Sequence, residues 1–264
     1  MLKPMYAPVN GLLREIGKPY GGVDNVARKA RYGYVGVNNV ARKCFSNVMP
    51  IGELSVGDSV YVNVGGVATE FLVVHHGIPN TSIYDGSCEG TWLLAKDLYA
   101  KMPFDTDSTA YAPSDVCAYL TGTFFNLIDE AVGSIIKQVK IPYHLLNNYG
   151  QYVLESGSDG LSAKVFLLSA FEIGYTKTEI TSFTYAEGEK LNYFIQGTTN
   201  EANAKRIAYY DGAATMWLTR TPTIRITNAG EKQAYSVGTY NAGVRPAFIL
   251  PSETLIDNNF NVVI

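Results

Sequence analysis

The sequence is poor in the groups that usually carry chemistry. Its 264 residues include three cysteines and three histidines. Cys44, Cys88 and Cys117 form no C-x-x-C or other metal spacing. They imply neither a disulfide framework nor a zinc site, and they suit a reducing cytosol. Charged residues make up 17 % of the chain, below the roughly 25 % of an average soluble domain. The formal net charge of −3 disfavours a strongly basic nucleic-acid binder. No apolar run approaches the roughly 18 residues that a membrane span needs. Met1-Leu2-Lys3-Pro4-Met5-Tyr6 leads into no apolar stretch, so no signal peptide is expected.

Single residues offer little more. His75 and His76 are neighbours on a predicted strand, where adjacent side chains face opposite ways and cannot readily share a metal. His144 stands apart from both. Asp159-Gly160, Asp211-Gly212 and Asp257-Asn258-Asn259 read as turns, without the alternating oxygen ligands of a calcium loop. No metal and no cofactor is expected. Gly86-Ser87-Cys88-Glu89-Gly90 has the spacing of a nucleophile elbow, but the apolar run Thr91-Trp92-Leu93-Leu94 follows where a helix should.

Aromatic residues are plentiful, with 19 Tyr and 11 Phe, so disorder is not expected. The first 45 residues repeat with a period of 14. Tyr6, Tyr20 and Tyr34 recur in step, as do Val9, Val23 and Val37, and Arg14, Arg28 and Arg42. Each copy carries a two-residue turn signal: Asn10-Gly11, Asp24-Asn25 or Asn38-Asn39. Asn and Asp tolerate the positive φ that tight hairpin loops demand. The pattern predicts three short β-hairpins, or a meander of about six strands. Such pieces are too small to bury a core alone, so residues 1–46 are expected to pack on the rest of the chain as a β-extension or, the reading preferred, to act as a docking module for another protein. The tyrosines and arginines of the repeat are its candidate interface residues.

Residues 47–264 read as a second domain. Ser59–Val64 and Ala68–His75 alternate around Gly65-Gly66 as a hairpin. Further strands are expected at Trp92–Ala95, Lys164–Ser169, Met216–Arg220 and Gly243–Leu250. Short helices are expected from Ser114 to Leu120, from Phe124 to Ile136 and within Tyr185–Gln196, with a helix or turn starting at Phe171. Strands and helices mixed without βαβ regularity predict an α+β fold. Tyr209, Tyr210, Asp211, Tyr235, Tyr240 and Asn241 flank the late strands. Tyr and Asn make contact surfaces at low entropic cost, so these six are the candidate ligand-binding residues, with a sugar ring as one ligand that could stack there.

Several stretches resemble a known family. Thr91-Trp92-Leu93-Leu94, Tyr119-Leu120-Thr121, Ile136 to Tyr143 and Phe166-Leu167-Leu168-Ser169 are similar to an uncharacterised domain family of Gram-positive gut bacteria and their phages. The most specific pieces are Trp217-Leu218-Thr219-Arg220-Thr221-Pro222 and Gly243-Val244-Arg245-Pro246-Ala247. The repeat YVGVNNVARK resembles N-terminal segments of phage virion proteins. The closing motifs are also similar to those of the formylglycine-generating type of C-type-lectin-like fold. That resemblance implies a C-type-lectin-like domain with Trp217, Arg245 and Pro246 in its structural core and a ligand face on its loops. No Cys follows Cys117, so formylglycine generation itself is not implied. Thr221 to Gly243 is short against the family, which implies a reduced display loop.

The expectation is a non-enzymatic phage virion protein of the tail, baseplate or head. It would be assembled in the host cytoplasm, dock by its hairpins onto other virion proteins as a homo-oligomer, and present its body to a host-surface glycan. It would bind no nucleic acid and insert into no membrane. The alternatives are a cement protein without ligand and a cysteine hydrolase built on Cys88.

Overall fold

The computed structural model describes residues 48–235, 238 and 241–264, together with the backbone of six strands between residues 5 and 46. Those six strands pair as three antiparallel hairpins. Met5–Val9 joins Leu12–Ile16, Tyr20–Val23 joins Val26–Lys29, and Tyr32–Val37 joins Val40–Ser46. In each, the valine closing the first strand pairs with the residue three positions on: Val9 with Leu12, Val23 with Val26, Val37 with Val40. That separation fits the two-residue loops the sequence signals. Each hairpin is a separate two-stranded sheet among the described residues, not part of a meander.

The body is built on a five-stranded antiparallel sheet. Its strands run Val165–Phe166, Ala247–Leu250, Thr91–Ala95, Val67–His76 and Ser59–Val64 from edge to edge. Gly65 and Gly66 both have positive φ (62° and 84°), the backbone of a type I′ loop that residues with a Cβ resist. Thr91–Ala95 is buried at every position. The reason is that both faces of the sheet are covered, so apolar and polar residues need not alternate. Phe71, Val73, Leu93 and Phe248 enter one core, with Leu120 and Phe124 of the helical segment. Leu72, Val74, Trp92 and Ile249 enter the other, with Leu168, Phe171, Leu191 and Phe194 of the irregular stretch that follows the Val165–Phe166 strand.

A second five-stranded sheet orders Ala100–Met102, Ala242–Val244, Trp217–Leu218, Ile224–Ile226 and Lys232–Ala234. The expected strand Gly243–Leu250 is therefore two strands in two sheets. Pro246, which has no N–H to donate, stands at the crossing.

The expected α+β class is overturned: the fold is largely all-β, in several small sheets, and the C-type-lectin-like mixed domain falls with it. Helix is confined to a stretch from Asp115 to Leu127, Glu130–Ile135, Asn200–Ala204 and brief 3-10 turns among the described residues. The single helix expected over Phe124–Ile136 breaks at Ile128, which turns extended and bridges Val64. Asp129 then caps a new helix by accepting from the Ala131 amide; a good N-cap residue competes with continuation of the helix. Within Tyr185–Gln196 no helix forms, because its amides go elsewhere. Glu189 N donates to the Tyr84 hydroxyl, and Leu191 N to the Glu172 carbonyl.

Candidate functional site

The chemistry of the body is concentrated in a buried polar cluster. It begins with a local device: Ser169-Ala170-Phe171-Glu172 has capping-box spacing. Ser169 Oγ accepts from Glu172 N at 3.1 Å, and Glu172 Oε2 accepts from Ser169 N at 2.8 Å. This turn delivers the Glu172 carboxylate inward, where Arg220 meets it in a bidentate pair at 2.8 and 2.6 Å. The remaining guanidinium donors reach the carbonyls of Pro142, Leu167 and Glu187. Tyr84 Oη donates to Glu172 Oε1 at 2.7 Å. Glu187 approaches Arg220 Nε at 3.4 Å, and its other oxygen accepts from His144 Nδ1 at 3.2 Å. His144 stacks on Phe183, with ring centroids 4.2 Å apart.

Arg220, Glu172 and Glu187 are wholly buried. Burial alone would pull the Arg220 guanidinium down, but the two carboxylates hold it above its ordinary value. Burial first, then the Glu172 charge, pushes Tyr84 well above the usual phenol range. With these side chains buried, the cluster ties five chain segments together and offers no exposed side chain to a substrate. Its members other than His144 were not singled out by the sequence reading. The legible signals were the Ser169-x-x-Glu172 spacing and an arginine inside an apolar motif.

The residues expected in the structural core have these surroundings. Trp217 is buried and donates Nε1–H to the Arg206 carbonyl at 2.9 Å. Arg245 is buried, donates to the Ala95 and Lys96 carbonyls, and lies 5.2 Å from the Trp217 ring centroid. Burial lowers its guanidinium to about 10, against the opposing influence of Tyr193 and Asp97, so it is still charged at neutral pH. Pro246 is buried beside it.

The expected ligand residues are spread between a separate two-stranded hairpin and the ends of strands in the second sheet. Tyr209–Tyr210 pairs with Ala213–Ala214 across Asp211 (φ 50°) and Gly212 (φ 77°), a tight hairpin whose tip is exposed. Tyr209 is exposed and Tyr210 half-buried, with Lys101 Nζ 4.4 Å from the Tyr210 ring centroid. Lys101 belongs to one edge strand of the sheet, whereas Tyr235 follows the strand at the opposite edge. Tyr235 is half-buried, its ring edge-on to Phe104 at 6.4 Å. Asn241 is exposed. Tyr240 lies outside the described residues. So do the side chains of Tyr6, Arg14, Tyr20, Arg28, Tyr34 and Arg42; their backbones share one register, each tyrosine pairing with the residue nine positions on.

Cys88 is fully buried, its Sγ directed to the Lys140 carbonyl at 3.3 Å, and burial pushes its thiol up to about 11. The histidines are engaged elsewhere. His76 bonds Thr91 Oγ1 and the Leu54 carbonyl, and His75 accepts from Asn192 N.

His75 gives a pH prediction. Burial first, then the charges of His76 and Lys190, lowers it to about 4. It stays neutral in the folded chain where the unfolded chain protonates near 6.5. Its contribution is thus present above pH 6.5 and lost as pH falls toward 4. Urea unfolding should show a loss of roughly 2 kcal/mol between pH 7 and 4.5, largely absent in His75→Gln. An equal loss in both proteins would assign it to other groups.

A family model described as a domain of unknown function, DUF6273, matches residues 89–252, more than half of the chain. No curated protein and no solved structure matches. The matched segment supplies three strands of the central sheet; the other two, Ser59–Val64 and Val67–His76, precede it. Both arginine motifs, Trp217–Pro222 and Gly243–Ala247, lie inside it, and the chain belongs to the DUF6273 family.

Proposed function

We propose that the chain is a non-enzymatic structural protein of a phage particle, with residues 1–46 as a docking module and the body as the displayed domain. The observation that carries this is the set of three successive two-stranded hairpins in identical register. A lone hairpin has two unpaired edges and little core, so three in series need surfaces outside themselves. The body suits display: clamped within by the Arg220 cluster, it exposes the Tyr209–Asp211 tip and Asn241, which can offer an aromatic face and polar groups to a host-surface glycan. Many copies on one particle would gain avidity from weak single contacts. The cysteine-hydrolase alternative is disfavoured by the Cys88 thiol, which is buried and directed to a backbone carbonyl rather than an imidazole.

The test is location. Gold-labelled antibody on purified particles should mark the body, and particles washed free of soluble protein should retain the chain. A protein found only in the soluble fraction of infected cells would sink this reading.

A further inference from the structure

The charges of the chain are divided unevenly. Residues 1–46 hold eight Lys and Arg against two Asp and Glu, while residues 47–264 hold thirteen against twenty-two. The hairpin array is thus +6 and the body −9, although the whole chain reads as nearly neutral. The basic residues recur with the repeat, as Arg28-Lys29 and Arg42-Lys43. They fall on the second strand of a two-stranded sheet with no further strand beside it among the described residues.

The body has a matching groove. A depression of about 440 Å³ lies between the Ile51–Glu53 turn and the turn after Leu255–Asp257. Met49, Leu54 and Phe260 give it apolar walls, and Glu53, Asp58 and Asp257 give it three carboxylates. No lysine or arginine lines it, and no ion pair engages those carboxylates among the described residues. Phe260 is held at positive φ (61°) and stays exposed.

We infer that the partner of the hairpin array is the acidic body of a second copy of this chain, received in the groove at Met49, Leu54 and Phe260. This rests on the docking reading above and names the partner within it. A second copy is favoured by charge complementarity, because the chain carries both signs on separate segments. Attachment is head-to-tail, a heterologous contact that propagates from copy to copy unless rotation closes it into a ring. The electrostatic part is screened over about 10 Å at 0.1 M salt, so association weakens as salt rises.

The experiment is sedimentation of the full chain at 50 and 500 mM salt, with two variants. The first reverses the hairpins: Arg28→Glu, Lys29→Glu, Arg42→Glu and Lys43→Glu. The second, Glu53→Lys with Asn258→Lys, cancels the charge of the groove without touching Asp58 or Asp257, which hold local turns. Wild type should form dimers and longer species at low salt, with affinity at least about tenfold lower at high salt. Each variant alone should be monomeric. Their mixture should recover a dimer, since the second variant supplies basic hairpins and the first an acidic groove, and it should stop there. Wild type that is monomeric at 50 mM salt, or a mixture that stays monomeric, overturns the proposal; the former result leaves the hairpins to their own body or to another protein. Hairpin-dependent binding of duplex DNA without self-association overturns it as well. The two readings fail separately. A monomer whose incorporation into particles is lost on hairpin reversal leaves docking standing and removes the second copy as partner. A self-associating chain absent from particles does the opposite.

Discussion

Replacing Arg220 with methionine should cost the body about 3–5 kcal/mol, the range for breaking a buried ion pair. Domains of ordinary size have only about 5–15 kcal/mol in all, so much of the fold's margin goes with one side chain. The loss exceeds that of the hydrogen bonds themselves. The variant leaves Glu172 without its cation in a wholly buried site and Glu187 with His144 alone, and the carbonyls of Pro142 and Leu167 lose their donor. An uncompensated buried carboxylate is the expensive species here. Arg220→Lys should recover little, since an ammonium has three donors and cannot match the planar fork that Glu172 accepts. Urea unfolding followed by fluorescence checks this, because Trp92 and Trp217 are both buried.

A double variant separates charge from packing. Arg220→Met with Glu172→Gln removes the pair's two charges together, and it should be more stable than the sum of the single losses by about 1–3 kcal/mol. Additive losses would mean that Arg220 acts through its backbone-carbonyl contacts and not through the carboxylate. A loss below about 1 kcal/mol for Arg220→Met, no more than an average point mutation costs, would refute the clamp.

The parts of this arrangement that were legible in the sequence are the local ones. Gly65-Gly66 announces its own hairpin because only positive φ closes that loop, and the period-14 repeat sets the register of three hairpins. Trp92–Ala95 reads as buried because it is apolar without interruption. What could not be read depends on distant partners. Glu172 and Arg220 are 48 residues apart, and neither carries a local mark of the other. The helix expected through Ile128 fails because Val64 claims that residue for a bridge, a tertiary event that periodicity ignores. The short helix expected within Tyr185–Gln196 does not form, because Tyr84 and the Glu172 carbonyl take amides of that stretch. Gly243–Leu250 looked like one strand, although Pro246 already marked the place where it changes sheets.

That change of sheets is where the second large effect is expected. Arg245 stands between Ala242–Val244 in one sheet and Ala247–Leu250 in the other. Its guanidinium donates to Ala95 at the end of a central-sheet strand and lies against Trp217 of the second sheet. It therefore ties the two sheets at the point where the chain passes from Ala242–Val244 to Ala247–Leu250. Arg245→Met should cost about 2–3 kcal/mol, from the orphaned Ala95 and Lys96 carbonyls and the lost cation–π contact. The loss is smaller than at Arg220 because no carboxylate is left uncompensated, and because burial already disfavours this cation, whose value falls to about 10. Its distribution should differ as well. In hydrogen exchange, Ala95 N and Tyr99 N donate to Pro246 and Val244 across the crossing. These amides should lose protection first, while those pairing Ser59–Val64 with Val67–His76 keep theirs until global unfolding. A uniform loss at both places would mean that the sheets open together and that Arg245 contributes only to the shared core. A selective loss at Ala95 and Tyr99 would mean that the arginine of the Gly243–Ala247 motif is there to hold the crossing, which gives a physical reason for a buried, unpaired guanidinium in a chain with so few charges.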